Sequence, residues 1–68
     1  MSVAKVEEIS ATSPKSFEDA VQKGIARATK TLRGVKGAWV KEQYLKVDDK
    51  GKITEFQVNM KVTFVLED

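Results

Sequence analysis

The residue types that carry most enzyme chemistry are absent from this 68-residue chain, which contains neither histidine nor cysteine. Ser-His-Asp and Cys-His nucleophile systems are therefore excluded, as are disulfides and zinc sites built from those residues. Adjacent carboxylates would point apart on strands, and none of them has an evident apolar pocket that would suit acid–base catalysis. These pairs are Glu7/Glu8, Glu18/Asp19, Asp48/Asp49 and Glu67/Asp68. We predict that the protein is not an enzyme and that it has no metal-binding residues.

Two further patterns weakly indicate ligand binding, and each is better explained as ordinary surface structure. Asp48, Asp49 and Gly51 resemble part of a calcium loop, but the twelve-residue ligand pattern is missing and a turn is the better reading. A set of basic side chains on the predicted helix would suit nucleic-acid phosphates, but no aromatic residue interleaves with it. That set comprises Lys23, Arg27, Lys30 and Arg33. With a net charge of only +2, we predict a solvated face and no nucleic-acid partner.

Trp39 and Gln57 are the best candidates for ligand recognition. Strand alternation places both side chains on the same face of a predicted sheet. An indole can stack on a planar heteroaromatic ring, and an amide can donate and accept along the polar edge of that ring. The alternative is that Trp39 is simply an interface anchor, since tryptophan is enriched at interfaces.

The last stretch, Ile53–Leu66, is the main element that positions these residues. Its even-numbered residues from Phe56 onward are apolar, while its odd-numbered residues are polar until Val65. This alternation predicts one strand of roughly 45 Å, which is longer than a domain of this size can cover by itself.

The preceding segments predict a strand, a helix and a second strand. Val3–Ile9 has the β-branched content of a strand, and a helix can begin after either Ser13 or Ser16. An apolar stripe with three- and four-residue steps follows from Phe17 to Val35, with Gly34 as the predicted C-terminal glycine. Gly37–Val47 is the second strand, with Ala38, Val40 and Tyr44 on one face and Trp39, Lys41, Gln43, Leu45 and Val47 on the other.

A turn at Asp48–Gly51 joins the last two strands into a hairpin, which gives an α+β fold of β-α-β-β order. We expect one domain over residues 1–68, with one helix covering one face of a three-stranded antiparallel sheet. The other face would leave apolar side chains in water, which favours contact with other subunits. These are Trp39, Leu45, Val47, Ile53 and Val65. A chain this short, without disulfides, also favours oligomerisation.

The chain resembles the dodecin family over nearly its whole length. The resemblance is carried by TSPKSFEDAV at Thr12–Val21, ARATKTLRGV at Ala26–Val35 and FQVNMKVTFVLED at Phe56–Asp68. It implies a hollow homododecamer of β-α-β-β subunits that stores or sequesters riboflavin, FMN or related flavins without catalysis. It also implies that a tryptophan near the start of the second strand stacks on the isoalloxazine, while a glutamine in the third strand binds its polar edge.

Gln57 matches the family glutamine, whereas Gly37 occupies the family's tryptophan position and Trp39 lies two residues later. This shift of two residues keeps the indole on the same face of the sheet but moves it by about 7 Å along the strand. Our leading hypothesis is a flavin-binding homododecamer with Gln57 and Trp39 as contacts. The alternative is a dodecin shell that does not bind flavin and has a storage or scaffold role, or calcium or coenzyme A as ligand.

The expected location is the cytoplasm, with no membrane partner. Met1–Ser10 lacks the apolar run of a signal peptide. No stretch approaches the about 20 apolar residues that span a bilayer.

Overall fold

Three long strands and one helix make up the computed structural model, which describes residues 3–66. The strands form one antiparallel sheet in the order β1-β3-β2, so the last strand is the central one. The predicted β-α-β-β order and the three-stranded antiparallel sheet are confirmed. The elements are β1 at Val3–Ser13, α1 at Phe17–Thr31, β2 at Val35–Val47 and β3 at Ile53–Leu66.

Strand β3 carries the core on its even-numbered side. Val58, Met60 and Val62 are all 0% exposed, and they face the helix as the alternation predicted. Burying each such side chain contributes about 1.5–3 kcal/mol to the free energy of unfolding. Phe56 closes the core near the start of the helix, where its ring meets the ring of Phe17 edge-on with centroids 5.2 Å apart.

The helix begins at Phe17 because Ser16 caps it. The Ser16 hydroxyl accepts a hydrogen bond from the backbone N–H of Asp19 at 2.9 Å, which satisfies one of the unpaired donors of the first turn. Ser13, the other candidate for the cap, ends strand β1 instead and is completely buried. Its hydroxyl donates to the Asp19 carboxylate and accepts from the N–H of Lys15.

The helix ends earlier than the apolar stripe predicted. It stops at Thr31 with Leu32 as the C-cap, whose N–H bonds to the carbonyl of Ala28. Gly34 adopts a φ of +73° and turns the chain back, so that Val35 is the first residue of β2 and not the end of the stripe. The prediction that β2 starts at Gly37 is therefore wrong by two residues.

Strand β1 is also longer than predicted, because it runs four residues beyond Ile9 to Ser13. Its added residues pair with β3, Ala11 with Val58 and Ser13 with Phe56. The backbone of the central strand has donors and acceptors on both sides, and pairing with β1 satisfies them over this length. Sequence alternation alone did not show this continuation.

The helix covers only part of one face of the sheet, because β3 is much longer than α1. A helix of 15 residues spans about 22 Å, against about 45 Å for the 14 residues of β3. It packs over β1 and β3, where Gly24 approaches Ile9, Ala11 and Met60. A groove of about 370 Å³ lies between the helix and β2, with a mainly apolar lining that includes Val21, Ile25, Val35, Ala38, Val40 and Met60.

The turn between β2 and β3 forms as predicted. The Asp48 carboxylate accepts hydrogen bonds from the N–H groups of Lys50 and Lys52, both at 2.9 Å. Gly51 adopts a φ of +80°, a backbone region that residues with a Cβ rarely enter. The Asp48 carboxylate therefore stabilises the turn through local hydrogen bonds.

Candidate functional site

The face of the sheet opposite α1, called the open face below, carries the candidate ligand-binding residues. It consists of the odd-numbered side chains of β3 from Glu55 to Val65 and of the residues that pair with them on the outer strands. Across the sheet these residues form rows of three. From one end to the other the rows are Val6–Thr63–Gly37, Glu8–Lys61–Trp39, Ser10–Asn59–Glu42 and Thr12–Gln57–Tyr44.

A β-bulge at Lys41 decides which side chains of β2 reach the open face. Val40 pairs with Met60, but the next pair is Glu42 with Asn59, so Lys41 is an extra residue on β2. A bulge of this kind shifts the alternation of faces by one residue. Residues of β2 beyond Lys41 therefore lie on the face opposite to the one that a regular strand predicts.

The predicted faces of β2 are consequently wrong after the bulge. Tyr44 pairs with Gln57 on the open face, although the alternation placed it against the helix. Gln43 and Leu45 pair with Val58 and Phe56, on the helix side. Leu45 is still 41% exposed, because the helix does not extend over this end of the sheet.

Trp39 and Gln57 share the open face, as predicted, but one chain does not bring them together. Trp39 pairs with Lys61, which lies four residues from Gln57 and thus about 13 Å away along β3. Gly37 pairs with Thr63 and lies about 20 Å from Gln57 on the same scale. Trp39 and Gln57 therefore do not form one compact pair within a single chain.

Tyr44 is the residue of this face that sequence analysis missed. Its side chain is 58% exposed and Trp39 is 52% exposed, so both rings are open to partners. Tyr44 lies directly opposite Gln57, whereas Trp39 does not. Glu42 could have indicated the bulge from the sequence. It is a charged residue at an even-numbered position, where continued alternation after Ala38 and Val40 predicts an apolar one.

Hydrogen bonds connect four side chains of two neighbouring rows into one network, called the ladder below. The Asn59 amide nitrogen donates to Glu42 Oε1 at 2.9 Å. Asn59 Oδ1 accepts from the Ser10 hydroxyl at 2.9 Å and from Gln57 Nε2 at 3.2 Å. The ladder therefore reaches across all three strands and ends at the candidate ligand contact, Gln57.

Ion pairs flank the ladder at both ends. Lys41 Nζ lies 3.4 Å from Glu8 Oε2, and Lys46 Nζ lies 3.2 Å from Glu55 Oε1. All of these side chains are more than a third exposed, so each pair contributes little to stability. Their charges balance, which leaves the open face without a strong net field.

Residues 3–66 contain no group of three or more His, Cys, Asp or Glu side chains that could hold a metal ion. Within the same residues, α1 is too short and too polar to cross a membrane.

The basic side chains of α1 are exposed, and Lys23 pairs with Asp19 at 3.1 Å. Hydrogen bonds from Ser13 and then Lys23 hold the pKa of the Asp19 carboxyl below its ordinary value.

The family model described as Dodecin matches residues 3–67. Calcium dodecin of Mycobacterium tuberculosis is 41% identical over 64 residues, which cover 94% of this chain and 89% of that protein.

Solved structures agree with the sequence match. An arginine-to-alanine variant of the Thermus thermophilus dodecin has a TM-score of 0.91 and 38% identity, with 100% of both chains covered. The crystal structure of the Mycobacterium tuberculosis calcium dodecin, described as a calcium-chelating antigen with a novel calcium-binding site, has a TM-score of 0.82. Its identity is 35%, and the alignment covers 96% of this chain and 91% of that one.

Proposed function

The chain belongs to the dodecin family, and we propose that it is a non-catalytic protein that binds and sequesters flavin at sites between copies of itself. The observation that carries this proposal is the open face, where the Gln57 amide stands opposite the exposed ring of Tyr44 and shares its face with Trp39. The amide can bind the polar edge of an isoalloxazine, and an exposed aromatic ring can stack on its plane.

The separation within one chain supports a site between copies. Trp39 and Gln57 stand about 13 Å apart along β3 on the same face, so the two side chains do not form one compact pair within a single chain. A twofold axis across the open face would bring a second copy of each residue to the site, because symmetry-related surfaces meet in such interfaces. Gly37 leaves the family's tryptophan position without a ring, so Trp39 or Tyr44 supplies the stacking surface.

Exposed apolar area supports self-association, for which the dodecin family implies a homododecamer. Several large apolar side chains of this small chain are between 41% and 61% exposed. They are Val3, Val6, Trp39, Val40, Tyr44, Leu45, Val47, Ile53 and Leu66. Apolar surface on this scale marks interaction sites in proteins of this size. Light scattering should give a mass about twelve times that of the 7.6 kDa chain, and a monomer mass would refute the assembly.

Titration of riboflavin and FMN, followed by flavin fluorescence, tests the binding proposal. We expect stoichiometric quenching at micromolar concentrations, because an aromatic ring stacked on the isoalloxazine quenches its emission. Trp39→Ala should abolish the quenching if the indole stacks on the flavin, and Gln57→Ala should weaken binding about tenfold through loss of the edge contact. Unquenched fluorescence with the wild-type protein would refute flavin binding.

Calcium is the second candidate ligand, because calcium dodecin is the curated relative found at 41% identity. Coenzyme A is a further ligand of the same alternative, in which the shell has a storage or scaffold role without flavin. Isothermal titration of the assembled protein with calcium chloride and with coenzyme A, beside riboflavin, separates these possibilities. Heat of binding with calcium alone would favour the calcium alternative and would exclude the flavin proposal.

A further inference from the structure

We infer that Asn59 and Glu42 are positioning residues that fix the orientation of the Gln57 amide, so that the site selects a ligand edge with an N–H donor beside a carbonyl acceptor. This inference rests on the proposed function, because it concerns the ligand that Gln57 meets. It goes beyond that function by assigning a role to two residues that the family resemblance does not name. It is based on the hydrogen bonds of the ladder on the open face.

Glu42 sets the polarity of the ladder. A carboxylate can only accept hydrogen bonds, so the atom of Asn59 that contacts Glu42 Oε1 at 2.9 Å must be the amide nitrogen. The Asn59 oxygen then faces the opposite way, toward Ser10 and Gln57. The carboxylate alone is therefore enough to fix which end of the Asn59 amide faces Glu42.

Asn59 transmits that polarity to Gln57. Because Asn59 Oδ1 is an acceptor, the atom of Gln57 that lies 3.2 Å from it must be the donor Nε2. The Ser10 hydroxyl donates to the same oxygen at 2.9 Å and holds it in place from β1. Among residues 3–66 this is the one side-chain hydrogen bond that Gln57 makes.

The orientation leaves Gln57 with a defined pair of groups for a ligand. Oε1 remains as an acceptor, and one of the two Nε2 protons remains as a donor. A complementary ligand edge presents an N–H next to a C=O, as the imide of an isoalloxazine does. An edge whose nitrogen carries a methyl group in place of the proton would leave Oε1 unpaired, which costs binding free energy.

The β-bulge at Lys41 is what makes this arrangement possible. In a regular strand Glu42 would face the helix, and the row of Asn59 would end in a different side chain. The bulge instead places Glu42 directly opposite Asn59 on the open face. Bulges are over-represented beside functional sites, where they redirect side chains in this way.

The test compares riboflavin with N3-methylriboflavin in the full assembled protein. We expect the wild-type protein to bind riboflavin at least about tenfold more tightly, because only riboflavin donates to Gln57 Oε1. Asn59→Ala and Glu42→Gln should each reduce this ratio several-fold, since the amide of Gln57 is then free to turn. A neutral glutamine at position 42 can donate or accept, so it no longer sets the polarity.

Glu55→Gln is the matched control for Glu42→Gln. It removes the same charge from the same face, but Glu55 contacts Lys46 and not the ladder, so the affinity ratio should stay at the wild-type value. Unchanged ratios in both Asn59→Ala and Glu42→Gln would overturn the inference.

A second readout keeps the inference separate from the proposed function. If the wild-type protein binds neither flavin, the flavin proposal fails, and the NMR signals of the Gln57 side-chain amide in the ligand-free protein decide about the ladder. Slow exchange of one Gln57 Nε2 proton with solvent in the wild type, and measurably faster exchange in Asn59→Ala, would support positioning by Asn59. Equal exchange rates in both proteins would overturn it.

Discussion

Tyr44 lies directly opposite Gln57 in the pairing of β2 with β3, and both side chains are on the face that the helix does not cover. Because Gln57 is also paired with Thr12 on β1, the tyrosine is the nearest aromatic neighbour of the amide across either strand. The pair combines a stacking surface with a hydrogen-bonding group. This relationship gives Tyr44 a place in the candidate site that Trp39 alone cannot fill within one chain.

Replacing Tyr44 by alanine should weaken riboflavin binding by about tenfold, because the ring supplies stacking area beside Gln57. Tyr44→Phe keeps the ring and should bind within about twofold of the wild type, since the hydroxyl makes no side-chain hydrogen bond among residues 3–66. Fluorescence titration measures both affinities. Equal binding by the alanine variant would assign the stacking to Trp39.

Gly24→Ala should lower the thermal midpoint, with a loss of about 1 kcal/mol in the free energy of unfolding. A Cβ at this position would lie 2.5 Å from Met60 Cε and 3.1 Å from Ala11 Cβ. The alanine gains about 1 kcal/mol of helix propensity, but overpacking costs about 1–3 kcal/mol, so the loss prevails.

Gly37→Ala is the control for this substitution, because its Cβ would meet only Thr63 Oγ1 at an ordinary 3.7 Å. Its thermal midpoint should match or exceed that of the wild type. Both variants are compared by calorimetry at one protein concentration, since assembly shifts apparent stability. A stabilised Gly24→Ala protein would mean that Met60 moves aside at no cost.

Gly34→Ala should destabilise the protein more than Gly51→Ala does. Both glycines adopt positive φ, so alanine is strained at either position by about 1 kcal/mol or more. At Gly34 the added Cβ would also lie 2.9 Å from the backbone oxygen of Val65, whereas at Gly51 nothing lies within 4 Å. Thermal unfolding of the two variants measures the difference, and equal losses would show that the contact with Val65 has no cost.

Ser13→Ala should reduce stability in a pH-dependent way. The Ser13 hydroxyl is the largest cause of the lowered pKa of Asp19. A carboxyl whose pKa is lower in the folded state contributes stability above its ordinary value of 3.8, and this contribution is lost as the pH falls through the folded pKa. The difference in thermal midpoint between wild type and variant should therefore be constant from about pH 7 to 5 and shrink below 3.8.

Ser10→Ala serves as the control for that series, because the Ser10 hydroxyl bonds to Asn59 and not to Asp19. Its difference from the wild type should show no such change in acid. A difference for Ser13→Ala that stays the same at every pH would mean that Ser13 acts only through packing.

Local patterns predicted the elements well where one residue type fixes the geometry. The alternation along β3 gave the bounds of that strand and its buried side, since Val58, Met60 and Val62 are fully buried. Asp48 and Gly51 predicted the turn, because a carboxylate and a residue that tolerates positive φ satisfy it locally. The helix end was predicted less well, because the apolar spacing continued from Leu32 to Val35 after the helix itself had ended.

The sequence by itself determined the β-α-β-β order, the core side of β3 and the presence of an amide on its other side, because these depend on residue type and spacing within single segments. Only the tertiary structure decided that Tyr44 and Glu42 join Gln57 on the open face and that Trp39 lies about 13 Å from it. The physical reason is the bulge at Lys41. An extra residue in β2 is defined only by its pairing with β3, and one such residue reverses every side chain that follows it.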